Sequence, residues 1–371
     1  MNKITYPQMG NYHIPVNYLL KNITNLEIIK PPIITNKTLE IGNKYSPDFI
    51  CTPFKYTLGT FIEGIEKGAN LALQLGGGCK YGYYFELQQK IINDLNLECE
   101  IINLISKGKA NYKEIYFKIK KYLKTNKIKN IYYLWNTIKI VEFMDEIEFL
   151  IREKKCYIKN YDVITEYKKM LKKIQENEKM WKIRKTYKKI KNNIKKNVEN
   201  RDNYIKIGII GELYTIMEPF ANFKIEENLL ARNISITRET NATYLLFKKN
   251  KKMKKCLKSS KYIRTKMGAD ASDNVCKAEK YCKEGYDAIL HIKSSFCTPE
   301  ISAMPLIEKV CNDYNVPVLF LSFDTNSNET GLSTRIEALL DLIEMRKKND
   351  WTFFGYWYRF YFNKMCSYWW K

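Results

Sequence analysis

Asn70-Leu71-Ala72-Leu73-Gln74-Leu75-Gly76-Gly77-Gly78-Cys79-Lys80-Tyr81-Gly82-Tyr83-Tyr84 decides how this chain is read. A short apolar run stopped by glycine reads as a buried strand. Tyr84 to Leu95 behind it carries helical spacing. Strand, glycine turn and helix in succession are the unit of a parallel α/β sheet.

The same alternation extends in both directions. Upstream, Lys3 to Tyr6 and Leu26 to Ile29 read as strands, the second stopped by Pro31-Pro32. His13 to Leu20, with Pro15 near its first turn, Thr38 to Tyr45, and Phe54 to Lys67, closed by Gly68, read as helices. Glu98 to Leu104 is a further strand. Downstream, strands are expected at Ile205 to Glu212, Ile234 to Thr237, Asp287 to Ile292 and Val316 to Phe323. Helices are expected at Phe223 to Arg232, Ser272 to Glu284, Pro299 to Tyr314 and Gly331 to Met345. Between the two α/β stretches, Ile115 to Leu123, Ile138 to Ile151, Val163 to Ile174 and Met180 to Ile194 are Lys-rich and amphipathic, with almost no Gly or Pro. Lys155 to Asp162 reads as a loop among them. The expected class is α/β: two Rossmann-like domains with parallel sheets, 1–105 and 204–346, separated by a basic helical domain, 106–203. Residues 347–371 form an aromatic-rich tail of no assigned role.

A length of 371 residues suits two or three domains. The net charge is +23, of which residues 106–200 carry +16. Such charge suits nucleic acid, an anionic membrane or a phosphorylated ligand. The chain is also rich in Lys, Asn, Ile and Tyr throughout, so compositional bias accounts for much of it. No nucleic-acid motif accompanies the charge, and nucleic acid is not an expected partner. No stretch approaches the roughly 18–20 apolar residues of a membrane span. The start, Met1 to Pro7, has no signal-peptide core. A cytoplasmic protein is expected, with membrane contact considered only for the aromatic tail.

Ten scattered cysteines without a CxxC pair argue against a disulfide framework, a zinc ribbon or a thioredoxin-type site. Two histidines, His13 and His291, are too few for a histidine-rich metal site, and both read as structural. Three cysteines stand apart by their setting. Cys79 follows a strand through glycines, Cys297 follows another through Lys293 to Phe296, and Cys51 lies between Pro47 and Pro53. Ligands of such folds sit at the C-terminal ends of parallel strands. Three thiolates in one crevice would hold an iron–sulfur cluster or zinc, and three without a matching fourth favour a [4Fe–4S] cluster with one open iron. The competing reading is that each is a small buried apolar side chain. That reading is taken for Cys99, Cys156, Cys256, Cys276, Cys282, Cys311 and Cys366. Gly76, Gly77 and Gly78 would let backbone N–H groups approach cluster sulfurs or an anion, and a tight turn explains them equally. Lys55, Lys80, Tyr83 and Glu300 adjoin the three cysteines and are candidates to surround the site; Glu300 also suits a helix first turn without any chemistry. Gly208-Ile209-Ile210-Gly211-Glu212 lacks the third glycine and acidic partner of a dinucleotide turn.

Tyr6-Pro7-Gln8-Met9-Gly10-Asn11, Lys44 to Pro47 with Cys51-Thr52-Pro53-Phe54-Lys55, and Gly77 to Tyr84 resemble the 2-hydroxyacyl-CoA dehydratase D-component superfamily. Within it, the acyl-CoA dehydratase activase-related (CoA protein activase) branch is the most similar. Ile207 to Tyr214 with Glu218-Pro219-Phe220, Glu284 to Asp287 with His291 and Cys297-Thr298-Pro299-Glu300, and Gly331 to Ala338 continue the resemblance in order, over about residues 1–346. It implies a [4Fe–4S] cluster on Cys51, Cys79 and Cys297 in a crevice between Rossmann-like domains. It implies an ATP-dependent activator protein with its own cluster as the electron donor, and radical dehydration of a 2-hydroxyacyl-CoA through a ketyl radical under anaerobic conditions. A second dehydratase-like subunit or a homodimer is an implied partner. The alternative is a non-catalytic iron–sulfur electron-transfer or activation partner. Two departures stand out. Gly76 occupies a place where that branch usually has another cysteine, and Ser294-Ser295-Phe296 replaces a frequent Pro-Phe pair before the third cysteine.

Overall fold

A computed structural model describes residues 2–74, 76–77, 79–104, 112–199 and 204–348. The first α/β stretch runs β1 (Lys3–Thr5), α1 (His13–Ile23), β2 (Glu27–Ile28), α2 (Asn36–Tyr45), α3 (Thr52–Glu66), β3 (Leu71–Gln74), α4 (Tyr84–Asp94) and β4 (Glu100–Asn103). Four helices follow: α5 (Tyr112–Lys120), α6 (Lys127–Lys154), α7 (Val163–Gln175) and α8 (Met180–Asn197). The second α/β stretch is β5 (Lys206–Gly211), α9 (Leu213–Met217), α10 (Ile225–Ala231), β6 (Ser235–Thr237), α11 (Lys249–Ser259), α12 (Ala271–Lys283), β7 (Ala288–Ser294), α13 (Thr298–Asp313) and β8 (Val318–Phe323). The described residues up to Asn326 belong to one compact unit. A second unit begins at Ser327 and contains α14 (Glu329–Lys347), capped by the Asn328 side chain.

Each α/β stretch makes one four-stranded, fully parallel sheet. The orders are β2-β1-β3-β4 and β6-β5-β7-β8, the same arrangement used twice. The α/β class expected from the alternation is therefore present. The expected strand at Asn70 to Leu75 is β3, paired with β1 and β4. Every residue of β7 is buried, as both faces of a parallel sheet are covered. Ile289 packs with Val275, Ala278, Ala303 and Ile307 between the sheet and helices α12 and α13. In the first sheet Ile4, Leu71, Leu73 and Ile102 pack on one face, while Ala72 and Ile101 meet Phe61 and Ile92 on the other.

Helices α5 to α8 lie where Lys-rich helices were expected. α7 and α8 turn their apolar stripes inward: Val163, Tyr167, Met170 and Ile174 of α7 and Ile183, Tyr187, Ile190 and Ile194 of α8 are buried. α6 packs against α1 and against β6, so this segment touches the elements of both sheets.

Two features were not foreseen. Residues 244–259 form a short π-helical segment, Tyr244–Lys248, that continues into α11. Within α11 only Met253 is buried, so the Lys-rich sequence offered no apolar stripe to read. Cys256 of α11 and Cys276 of α12 are joined as a disulfide, which corrects both the expectation of no disulfides and their reading as small apolar side chains. Cys99, Cys156, Cys282 and Cys311 are buried, unbridged cysteines, as read. The tail beyond Lys348, with Cys366, lies outside the described residues.

The approach of α2 to α3 depends on glycine. A Cβ on Gly42 would stand 1.9 Å from the Lys55 carbonyl oxygen, and one on Gly59 would stand 2.0 Å from that of Thr38. This contact fixes the N-terminal end of α3, where Cys51 sits.

Candidate functional site

The C-terminal ends of β3, β5 and β7 lead into the candidate site. Each of the three singled-out cysteines occupies the residue immediately before a helical turn. Cys51 precedes α3, Cys297 precedes α13, and Cys79 precedes the 3-10 turn Lys80–Tyr83 that enters α4. Cys51-Thr52-Pro53 and Cys297-Thr298-Pro299 repeat one device, a helix start with proline in its first turn, where the missing N–H has no partner to lose. The positive end of a helix favours a thiolate over a thiol. The backbone N–H of Tyr81 donates to Cys79 Sγ at 3.4 Å. Phe54 N–H acts on the Cys51 sulfur, and Glu300 N–H on that of Cys297, in the same stabilising sense.

Cys51, Cys79 and Cys297 line one cavity of about 430 Å³. Its other walls include Pro47 to Ile50, Lys80, Tyr84, Phe296, Thr298 and Pro299. The Phe49 and Phe296 rings meet edge-on at 5.7 Å and remain exposed to solvent. The Tyr84 hydroxyl lies against Cys51 Sγ. A cavity of this size falls in the range that holds a small ligand or cofactor.

A polar stitch holds Cys51 beside the second sheet. Ser294 Oγ, at the end of β7, accepts from both the N–H and the hydroxyl of Thr52, at 2.9 and 2.7 Å. The Thr52 hydroxyl is also 3.2 Å from the Phe323 carbonyl. Nearby, Gly10 N–H donates to Glu218 at 2.7 Å and the Tyr214 hydroxyl donates to the Gln8 carbonyl at 3.0 Å. Tyr56 stacks on Tyr214 at 5.8 Å between ring centres. These contacts face the strand ends of one sheet toward those of the other.

Burial pushes the thiols of Cys51, Cys79 and Cys297 up, and the Glu212 carboxylate adds to the effect at each. Glu212 follows β5 and caps α9, accepting from the N–H groups of Tyr214 and Thr215, both at 2.9 Å, and from the Thr215 hydroxyl at 2.5 Å. Desolvation lifts its carboxyl to about 7. Gly211 before it adopts φ +145°, and a Cβ there would stand 1.8 Å from the Ile292 carbonyl oxygen. That explains the glycine without any nucleotide-binding role.

The other expected residues divide. Lys80 lines the cavity. Lys55 is buried and donates to Asn43 at 2.7 Å; it lines an adjoining cavity of about 280 Å³ with Asp48, Thr52, Phe296 and Asp324. Glu300 is buried behind Cys297, 2.8 Å from His291 Nε2 and 2.9 Å from Asn274 Nδ2. His291 is thus a packed, hydrogen-bonded histidine, as read. His13 likewise lies with Nδ1 2.9 Å from the Gly10 carbonyl. Tyr83 is 51% exposed and is not among the cavity walls; Tyr84 takes that place. Gly76 and Gly77 are not wall residues either. Gly76 turns the chain at φ +66°, and a Cβ on Gly77 would meet the Tyr81 side chain at 3.0 Å. Gly78 lies outside the described residues.

Three residues near the site went unrecognised in the sequence: Glu212, Ser294 and Lys293. Lys293 is buried in β7, where burial lowers its pKa and the neighbouring Cys297 and Glu300 raise it. A lysine inside a strand that opens with an apolar run was the available signal. Among the described residues, no group of three or more His, Cys, Asp or Glu side chains is arranged to hold a metal ion. The three cysteines surround open volume instead.

No protein-family model and no curated protein matches the sequence. One solved structure with similarity is the solute-binding protein FpvC from Pseudomonas aeruginosa in complex with Mn2+. It shares 10% identity at a TM-score of 0.22, over 94% of this chain and 99% of that one. Similarity at that level carries no argument about this chain.

Proposed function

We propose that this chain is an iron–sulfur protein in which Cys51, Cys79 and Cys297 hold one [4Fe–4S] cluster, in a subunit that dehydrates a 2-hydroxyacyl-CoA after activation by an ATP-dependent partner. The observation that carries this reading is the single cavity shared by three cysteines far apart in the chain. Soft thiolates converging on open volume fit a cluster, whereas a single zinc ion needs ligands gathered tightly around it. When bound, such a cluster would supply an open iron for a substrate oxygen and a store for one electron.

The chain's own residues supply the setting. Helix-start amides favour thiolate at all three positions against the burial that opposes it. Loading metal would therefore release protons. Lys80 on the wall and Lys293, which interacts electrostatically with Cys297, would offset the charge of a thiolate set. The Tyr84 hydroxyl against Cys51 Sγ would tune a bound centre by hydrogen bonding. Phe49, Ile50 and Phe296 give the cavity an apolar side, and the adjoining cavity with Lys55 offers a polar extension for an acyl thioester. The test is anaerobic reconstitution with iron and sulfide, followed by visible absorption and EPR, for the parent and for Cys51→Ala, Cys79→Ala and Cys297→Ala. A four-iron signature in the parent that is lost or altered in every variant supports the assignment. A normal signature in any one variant removes that cysteine from the ligand set.

A further inference from the structure

Helix α6 has two apolar faces, and only one of them meets the core. Tyr133 packs on Tyr18, and Asn136, Thr137 and Ile140 are buried on that side. On the opposite side Ile128 is 79% exposed, Ile131 68%, Tyr132 53% and Trp135 52%. At 3.6 residues per turn these four share an arc of about 100°, with Lys127 and Lys129 about 40–60° beyond its two edges. Leu134 is exposed beside Lys127. The Lys139 ammonium stands 5.8 Å from the Trp135 ring centre and pairs with Glu142 at 2.6 Å, closing the stripe.

The surrounding sequence has one sign of charge. Residues 115–141 hold seven lysines, no arginine and no acidic residue. Lys120, Lys121, Lys124, Lys127 and Lys129 are exposed, and so is Phe117 of α5. Contiguous exposed apolar side chains mark an interaction surface. Protein interfaces are depleted in lysine and enriched in arginine. Lysines bordering a Trp, Tyr and Ile stripe instead match a helix lying in a membrane interface, its apolar face in the acyl boundary and its ammonium groups at lipid phosphates. No described helix is long and apolar enough to cross a membrane.

We propose that the N-terminal half of α6 docks on an anionic lipid surface through Ile128, Ile131, Tyr132 and Trp135, with Lys127 and Lys129 at the headgroups. The test is co-flotation of the full chain with vesicles of phosphatidylcholine alone and of phosphatidylcholine mixed with phosphatidylserine. Binding to the anionic vesicles, weakened by salt, is expected. Ile131→Ser with Trp135→Ser should lower partitioning more than tenfold. Lys127→Gln and Lys129→Gln should each lower it about fivefold. All four side chains are exposed, so the melting temperature should hold and separate lost binding from lost folding. Absence of flotation with anionic vesicles overturns the proposal. So does flotation unchanged by the Ile131/Trp135 pair, which would place binding elsewhere in the chain. Sedimentation in which the same pair abolishes self-association, without any vesicle binding, would assign the stripe to a contact between copies and also overturn it.

Discussion

Replacing Ser294 by alanine tests how Cys51 is kept against the second sheet. Ser294 is fully buried, and Thr52 is 5% exposed. The substitution leaves no sizeable void, because only one oxygen is lost. It removes the acceptor of the Thr52 N–H, which no water can reach readily. An orphaned buried donor costs about 1–3 kcal/mol, and the second lost bond about 0.5–1.5 kcal/mol. The Thr52 hydroxyl recovers part of this through the Phe323 carbonyl at 3.2 Å. The net loss is about 2–3 kcal/mol, which at roughly 2–4 °C per kcal/mol lowers the melting temperature by about 4–12 °C. Ser295→Ala is the control. Its hydroxyl makes only a 3.4 Å contact to Asp324, so it should cost less than about 0.5 kcal/mol. Differential scanning calorimetry of the two variants decides. Equal melting temperatures for Ser294→Ala and Ser295→Ala would refute the stitch.

Three other outcomes follow from the same geometry. Glu212 has its carboxyl raised from 4.5 to about 7, so its protonated form stabilises the fold; that contribution is full below 4.5 and is lost as pH rises through about 7. Glu212→Gln should therefore lose less stability than the parent across that window in urea titrations, and parallel curves would contradict the upward shift. Gly59→Ala would drive a Cβ to 2.0 Å from the Thr38 carbonyl oxygen, so α2 and α3 must separate, at a cost of about 3 kcal/mol in unfolding free energy from denaturant titration; a neutral result would contradict their close approach. The Cys256–Cys276 bridge closes a 20-residue separation, so Cys256→Ser should cost about 3 kcal/mol in thermal unfolding, and non-reducing peptide mapping should find the pair linked. Recovery of both thiols alkylated without reductant would contradict the bridge.

The alternation of apolar runs and helical periods made both sheets legible, because parallel strands such as β7 are buried on both faces and open with an apolar run. The helices of residues 112–197 were legible from their stripes, but their contacts with α1 and β6 were not, since stripes do not name partners. α11 and its π-helical entry were silent for want of buried side chains. Around the site, glycine turns and Cys-Thr-Pro starts pointed to three cysteines that share a cavity. The local choice between Tyr83 and Tyr84 depends on helix phase, which one residue turns by about 100°. Ser294 acts through Thr52, on a distant part of the chain, and the effect of Glu212 on Cys51, Cys79 and Cys297 likewise depends on tertiary approach, so no local pattern reveals either role. The Cys256–Cys276 pair needed the packing of α11 on α12, which spacing alone does not give.

The central claim is that Cys51, Cys79 and Cys297 together hold one cluster. Iron and acid-labile sulfide analysis of the anaerobically reconstituted chain tests it most directly. About four irons and four sulfides per chain are expected in the parent and in Cys99→Ala, with a marked fall in Cys51→Ala, Cys79→Ala and Cys297→Ala. Iron near zero in the parent, or iron content indifferent to which cysteine is replaced, would contradict the account.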